Sequence, residues 1–146
     1  MKFEHHAAVS VPLSAGIWYY TGNLYYFLMA LFIGVFIDLD HIFDYIREEG
    51  SFDLKGLFIK SYKGDFKKLY LFLHCYEFIP LVWAISFFYG AFEFAAVFTI
   101  AYLAHMIPDQ FANNTRPLGY FLIYRISVKF NNKKIFNTPK GGNHKF

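Results

Sequence analysis

The sequence predicts an all-α bundle of four to five helices embedded in a membrane. Apolar residues make up 56% of the 146 residues and aromatic residues 23%, whereas charged residues make up only 17%. A chain of this composition has too few charged side chains for an ordinary soluble surface. Four apolar runs follow one another along the chain, as in an up-and-down helical bundle. We expect a single helical membrane domain over residues 1–138 and a flexible tail over residues 139–146.

The four apolar runs are Ala7–Tyr20, Leu24–Ile37, Leu69–Phe92 and Phe94–Pro108. A helix that crosses a bilayer needs about 20 apolar residues. The third run reaches this length, and the second does so only if it includes the acidic residues that follow it. The first and fourth runs would also suit the core helices of a soluble bundle, so a soluble helical protein is an alternative.

Positive charge is distributed unevenly between the connections. Lysine and arginine concentrate in the polar loop Arg47–Lys68 and in the C-terminal segment, whereas the turns Thr21–Asn23 and Gly90–Glu93 contain neither. The positive-inside rule therefore predicts four helices in the cytoplasmic (inner) membrane, with both termini in the cytoplasm. The net charge of +3 is too small to indicate a nucleic-acid partner. The segment Pro117–Phe130 reads as an amphipathic helix with Arg125 and Lys129 on its polar edge.

A cluster of acidic residues and a histidine closes the second apolar run. Asp38, Asp40, His41 and Asp44 lie within seven residues of one another. If the helix continues through Asp44, its repeat places Asp40, His41 and Asp44 on one side and Asp38 at the border. Buried charges of this kind are usually paired or bound to a metal. The alternative is the solvent-facing polar end of an apolar helix.

Further candidate ligands lie at the same predicted end of the other helices. His105 and Asp109 form an HxxxD pair and share a helical face, although Pro108 disturbs the geometry between them. His74 and Glu77 form an HxxE pair in the first turns of the third helix. His6 opens the first helix. In the predicted topology all these groups converge on one cytoplasmic layer.

This donor set is larger than one metal ion uses. The predicted metal ligands are His6, Asp38, Asp40, His41, Asp44, His74, His105 and Asp109. Such a mixture of histidine and carboxylate suits one or two divalent ions, zinc or manganese, with Asp38 or Asp40 as the bridge. Two such ions commonly hydrolyse phosphate esters. Glu77 is the candidate general base, or else another ligand. The lone Cys75 indicates neither a disulfide nor a structural zinc site.

The chain resembles a family of small bacterial and archaeal membrane-bound metal-dependent hydrolases. The resemblance covers residues 4–109 and rests on four elements: an early His6, a PDxDH-like Ile37–His41, a histidine motif Leu73–Glu77 and the HxxxD motif His105–Asp109. Ile37 replaces the proline of the family motif. The second histidine and the serine of the family's HRxxTHS-like segment have no counterpart. The resemblance implies a helical arrangement like that of phospholipase C and P1 nuclease, and action on a phosphate ester, perhaps of a lipid.

A different class of function is a metal-binding membrane protein without catalysis, such as a transporter component. An ion path needs polar groups through the middle of the bilayer. The middles of the runs, residues 30–34, 82–87 and 96–100, carry no charge. This pattern favours a site on one side of the membrane over a path through it.

Overall fold

The computed structural model describes residues 3–137, and its secondary structure in that range consists of helices with no β-strand. The predicted tail 139–146 lies outside the described residues. The helices are α1 (Phe3–Thr21), α2 (Leu24–Phe36), a 3₁₀ helix (Ile37–Leu39), α3 (Asp40–Glu49), α4 (Leu54–Lys63), α5 (Phe78–Tyr89), α6 (Phe92–Ala112), α7 (Leu122–Ser127) and α8 (Asn132–Ile135). The predicted all-α class is therefore confirmed for this part of the chain.

Helices α1, α2 and α6 pack against one another, and α5 packs on α6. The turn between α1 and α2 uses Gly22, whose φ of +66° favours glycine, and Asn23, whose side chain accepts the N–H of Tyr25. Deeper in the bundle, a Cβ on Gly34 of α2 would collide with the Ser10 side chain of α1. Glycine at this position therefore allows the close approach of the two helices that brings their ends together at the site.

The third apolar run does not form one long helix. Its one complete helix is Phe78–Tyr89, whose 12 residues extend about 18 Å, well short of the roughly 30 Å of a bilayer core. The prediction that this run alone has the length of a span is therefore wrong. The preceding residues 70–77 form an irregular segment, so His74 and Glu77 do not lie within a helix. Long-range hydrogen bonds hold this segment in place, and the apolar composition gives no sign of them.

Two other segments differ from their predicted structure. The polar loop contains α4, which Asp53 caps by accepting the N–H groups of Lys55 and Gly56. The predicted amphipathic helix Pro117–Phe130 shortens to the six residues of α7. Arg125 does not lie on a polar edge but is fully buried. Its guanidinium has hydrogen-bond partners in the irregular segment, which a reading of local periodicity could not find.

One continuous helical stretch among the described residues is long and apolar enough to cross a membrane by length and composition. It runs from Leu24 to Glu49 and joins α2, the 3₁₀ helix and α3. Only 28% of its most apolar 18-residue segment is buried inside the fold, whereas the core helix of a soluble protein is mostly buried. Large apolar side chains are also exposed on the other helices of the bundle, for example Tyr19, Phe88 and Phe111.

Candidate metal centre

Five predicted ligands from four segments of the chain meet at one end of the bundle. His6 comes from the first turns of α1, Asp38 from the 3₁₀ helix, His74 from the irregular segment, and His105 and Asp109 from α6. Four of these side chains are at most 1% exposed, whereas that of Asp38 is 25% exposed. The group is therefore enclosed by the protein, with Asp38 at its open side.

The HxxxD pair depends on α6 continuing past its proline. Pro108 lies inside α6, which runs on to Ala112, so the four-residue spacing keeps His105 and Asp109 on one helical face. Their facing atoms, His105 Nε2 and Asp109 Oδ2, are 3.8 Å apart. The doubt that Pro108 raised in the sequence does not apply here, because α6 continues past the proline although its ring removes one backbone donor and crowds the carbonyl one turn earlier.

The donor atoms lie at separations expected of ligands around one ion. His6 Nε2 is 3.1 Å from Asp109 Oδ1 and 3.6 Å from Asp38 Oδ2. His74 Nε2 is 3.4 Å from Asp38 Oδ1 and 3.6 Å from Asp109 Oδ2. Two ligands about 2.1 Å from a shared ion lie roughly 3.0–3.5 Å apart in octahedral or tetrahedral geometry. The separations are thus close to those that a bound divalent ion would impose.

Hydrogen bonds outside the group orient two of the histidines. His74 Nδ1 is 2.9 Å from Asp40 Oδ2, and His105 Nδ1 is 2.9 Å from the carbonyl oxygen of Gly34. A carboxylate and a carbonyl only accept hydrogen bonds, so each Nδ1 carries the proton. The Nε2 atom of a neutral ring then directs its lone pair into the group. Histidines that bind metals are held in this way in known sites.

The two Nε2 atoms of His74 and His105 are only 3.3 Å apart. Two lone pairs at this distance repel each other unless a proton or a cation lies between them. Burial lowers the pKa of His74, but Asp40 and the carboxylates of Asp109 and Asp38 together raise it well above its usual value. A proton on His74 thus stabilises the group without metal, and a metal ion would have to displace that proton.

A second group overlaps the first. Asp38, His41 and His74 can each place one ligand atom within 4.8 Å of the others. Two of these residues, Asp38 and His74, are also members of the first group of five. His41 Nδ1 is 3.8 Å from Asp38 Oδ1 and forms a hydrogen bond of 3.1 Å with Asp40 Oδ1, in which the carboxylate accepts. Both groups could hold a metal ion. Since Asp38 has two carboxylate oxygens, it is the residue able to serve both.

The structure places the other three predicted site residues outside these two groups. Asp40 accepts hydrogen bonds from His74 and from the backbone N–H of Leu73, and therefore lies behind a ligand. Asp44 is buried and accepts the backbone N–H groups of Tyr70 and Leu71 with both of its oxygens. Its carboxylate fixes the irregular segment.

Glu77, the predicted general base, faces a different part of the chain. Its Oε1 accepts the backbone N–H of Ile123, 3.1 Å away, at the start of α7. It belongs to neither group of candidate ligands among the described residues. The spacing of HxxE on a helix would have placed Glu77 beside His74, but the segment is not helical there.

Arg125 is a site-supporting residue that the sequence reading missed. Its guanidinium is buried and donates to the carbonyl oxygens of Tyr70, Leu71 and His74, and to the sulfur of Cys75. Leu71 has a φ of +43°, a strained conformation for a residue other than glycine. Arg125 and Asp44 therefore hold the strained segment from two sides and set the position of His74. The signal available in the sequence is a single arginine in an apolar stretch, Phe121–Ile126.

No family model matches the chain, and neither a curated protein nor a solved structure matches it. The resemblance to membrane-bound metal-dependent hydrolases therefore stays a prediction that rests on the motifs.

Proposed function

We propose that this chain is a membrane-bound, metal-dependent hydrolase of phosphate esters. The observation that carries the proposal is the convergence of His6, His74 and His105 with Asp38 and Asp109 at ligand separations. Three imidazoles and two carboxylates form a donor set that suits zinc or manganese. A bound divalent ion would lower the pKa of a water to near neutral and stabilise charge on a phosphate ester.

The residues of the centre would have distinct roles in this function. His6, His105 and Asp109 would hold the first ion, and Asp40 would keep His74 in the tautomer that binds metal. Asp38 is the exposed member, so water and substrate would approach from its side. His41 is next to Asp38 there, and these two residues together with His74 would hold a second ion. This arrangement resembles the two-ion sites that hydrolyse phosphate esters.

Membrane insertion is supported by the surface of the bundle. The stretch Leu24–Glu49 has the length and apolarity of a span, and much of it faces outward. Exposed aromatic residues, Tyr19, Tyr25 and Tyr89 among them, lie at the ends of α1, α2 and α5 away from the site, as in the aromatic belts of membrane proteins. We propose that the protein lies in the cytoplasmic (inner) membrane, with both termini on the cytoplasmic side. A substrate that is itself a lipid phosphate ester would reach Asp38 from that surface.

Metal analysis of the purified protein tests the proposal most directly. Membranes should be washed with carbonate, the protein extracted with detergent, and zinc and manganese measured per chain together with hydrolysis of bis(4-nitrophenyl) phosphate and 4-nitrophenyl phosphate. Asp38→Ala should lose metal and activity. Asp65→Ala, which removes an exposed carboxylate outside the groups, should retain both. Release by carbonate would refute membrane insertion, and a parent without metal would refute the centre.

The role of Glu77 is tested separately. Glu77→Gln should leave the metal content unchanged, because its carboxylate contacts Ile123 and lies outside both groups. A rate lower by roughly 10²–10⁴-fold at full metal content would assign proton transfer to Glu77. A parent-like rate would remove it from the mechanism.

Metal binding without catalysis is the second candidate, and the enclosure of the centre favours it. The three histidines and Asp109 are almost completely buried, as in sites that retain an ion permanently. In that case the parent would contain metal but hydrolyse none of the phosphate esters tested. Removal of the ion with a chelator would then mainly lower the unfolding temperature.

A further inference from the structure

A groove lined by lysines lies outside the metal centre. Lys67 and Lys68 form one part of its wall and Lys129 and Lys134 another, with Ser127, Val128 and Asn131 between them. Its volume of about 530 Å³ is far larger than a single water needs. The groove is therefore large enough for the polar headgroup of a small molecule.

The fold builds this groove from segments about 60 residues apart. The backbone N–H of Leu69 donates to the carbonyl of Phe130, and that of Asn132 donates to the carbonyl of Lys67. The buried side chain of Asn132 also donates to the carbonyl oxygens of Gly64 and Phe66. These hydrogen bonds fix the backbone on both sides. The lysines are thus brought together by tertiary structure and not by their order in the sequence.

The groove carries uncompensated positive charge. None of the residues that line it is acidic, and none of its four lysines forms an ion pair with a carboxylate of the described residues. The neighbouring Glu48 is occupied, because it binds the side chain of Lys60 and accepts the backbone N–H of Lys67. Several like charges around one concavity attract anions strongly. The ligand should therefore be anionic.

Exposed apolar side chains adjoin the basic residues. Ile123 and Ile126 of α7 are 74% and 56% exposed, and α7 ends at Ser127 in the wall of the groove. Apolar side chains followed by lysines are typical of segments that lie at a membrane surface with anionic lipids. We propose that this groove binds the phosphate group of anionic phospholipids at the membrane surface. The inference rests on the membrane location within the proposed function, and not on the metal chemistry.

Lipid binding by the full chain in detergent tests the assignment. Phosphatidylglycerol and phosphatidylcholine with identical acyl chains are titrated into the protein, and bound lipid is counted by native mass spectrometry. The parent should prefer phosphatidylglycerol. A lysine near an anionic surface contributes about fivefold to affinity. Lys68→Gln combined with Lys129→Gln should therefore weaken phosphatidylglycerol binding by about 25-fold, with little change for phosphatidylcholine.

The matched control is Lys55→Gln combined with Lys63→Gln, which removes the same charge from exposed positions of α4 outside the groove. It should bind phosphatidylglycerol like the parent. An equal loss in both variants, or no loss in the groove variant, would overturn the proposal. So would binding of inorganic phosphate as tight as that of phosphatidylglycerol. Helical content and metal content, measured on the same samples, separate a failed fold or a failed metal centre from a failed lipid site.

Discussion

Replacement of Asp40 by asparagine separates a residue that orients a ligand from a ligand. In the structure Asp40 Oδ2 accepts the Nδ1–H of His74 at 2.9 Å and the backbone N–H of Leu73 at 3.0 Å. Asparagine keeps the size of the side chain and one acceptor oxygen, but it loses the charge and replaces the other oxygen with a donor. His74 would then be held less firmly, while the other four ligands of the first group, His6, Asp38, His105 and Asp109, are untouched.

The size of the effect follows from this indirect role. Loss of a partner behind a metal ligand typically costs 10–100-fold in metal affinity, which corresponds to about 1.4–2.7 kcal/mol. Asp38→Asn should cost more, because Asp38 faces three histidines of the centre directly. Asp65→Asn should cost nothing measurable. We therefore expect Asp65→Asn to bind zinc as tightly as the parent, Asp40→Asn to bind it more weakly, and Asp38→Asn to bind it most weakly.

Competition with a chromophoric zinc chelator measures these affinities in detergent, and circular dichroism checks that the helices remain. If Asp40→Asn binds zinc as weakly as Asp38→Asn, Asp40 is itself a ligand and the assignment from geometry is wrong. If it binds zinc as tightly as the parent, the hydrogen bond to His74 has no influence on the centre. Either result would refute the reasoning about orientation.

Three further predictions concern the same centre. His6→Ala should lower the zinc content measured by mass spectrometry, whereas the exposed neighbour His5→Ala should not, and equal behaviour of the two would contradict the burial of His6 at the centre. Arg125→Met should lower the free energy of unfolding, measured in urea, by at least about 3 kcal/mol, because three buried carbonyls each lose a donor worth about 1–3 kcal/mol. A loss below about 1 kcal/mol would show that the irregular segment 70–77 does not depend on this residue. Zinc affinity should fall as the pH falls from 8 to 6, since protons compete for the Nε2 lone pairs and the pKa of His74 is raised. If the zinc affinity measured by chelator titration does not change with pH, histidine ligands are excluded.

Local sequence patterns predicted the helical class and several features of the centre. Apolar runs mark α1, α2 and α6, because a helix buries or exposes its apolar residues with a regular period. The four-residue spacing of His105 and Asp109 places both side chains on one face of α6. His6 and Asp38 occur near the ends of their helices, so an up-and-down order brings them to the same end. The helical period and the spacing of His105 and Asp109 depend on near neighbours along the chain, which a sequence displays directly.

The roles of the remaining candidates depended on tertiary structure. Asp38, Asp40 and Asp44 are close in sequence, yet one faces the centre, one orients His74 and one binds the backbone of Tyr70 and Leu71. Nothing local distinguishes three aspartates, because each role is set by a partner at least 26 residues away along the chain.

The irregular segment shows the same limit most clearly. Its apolar composition resembles a helix, but a buried Arg125 from about 50 residues further along takes its carbonyl oxygens and helps to hold Leu71 in a strained conformation. A helix would have used those carbonyls internally and placed Glu77 beside His74. Local propensity is worth a few tenths of a kcal/mol per residue, whereas buried hydrogen bonds to a charged group are worth about 1.5–3 kcal/mol each. The sequence by itself therefore determined the helical framework and its candidate ligands, while long-range burial and hydrogen bonding decided which of them form the centre.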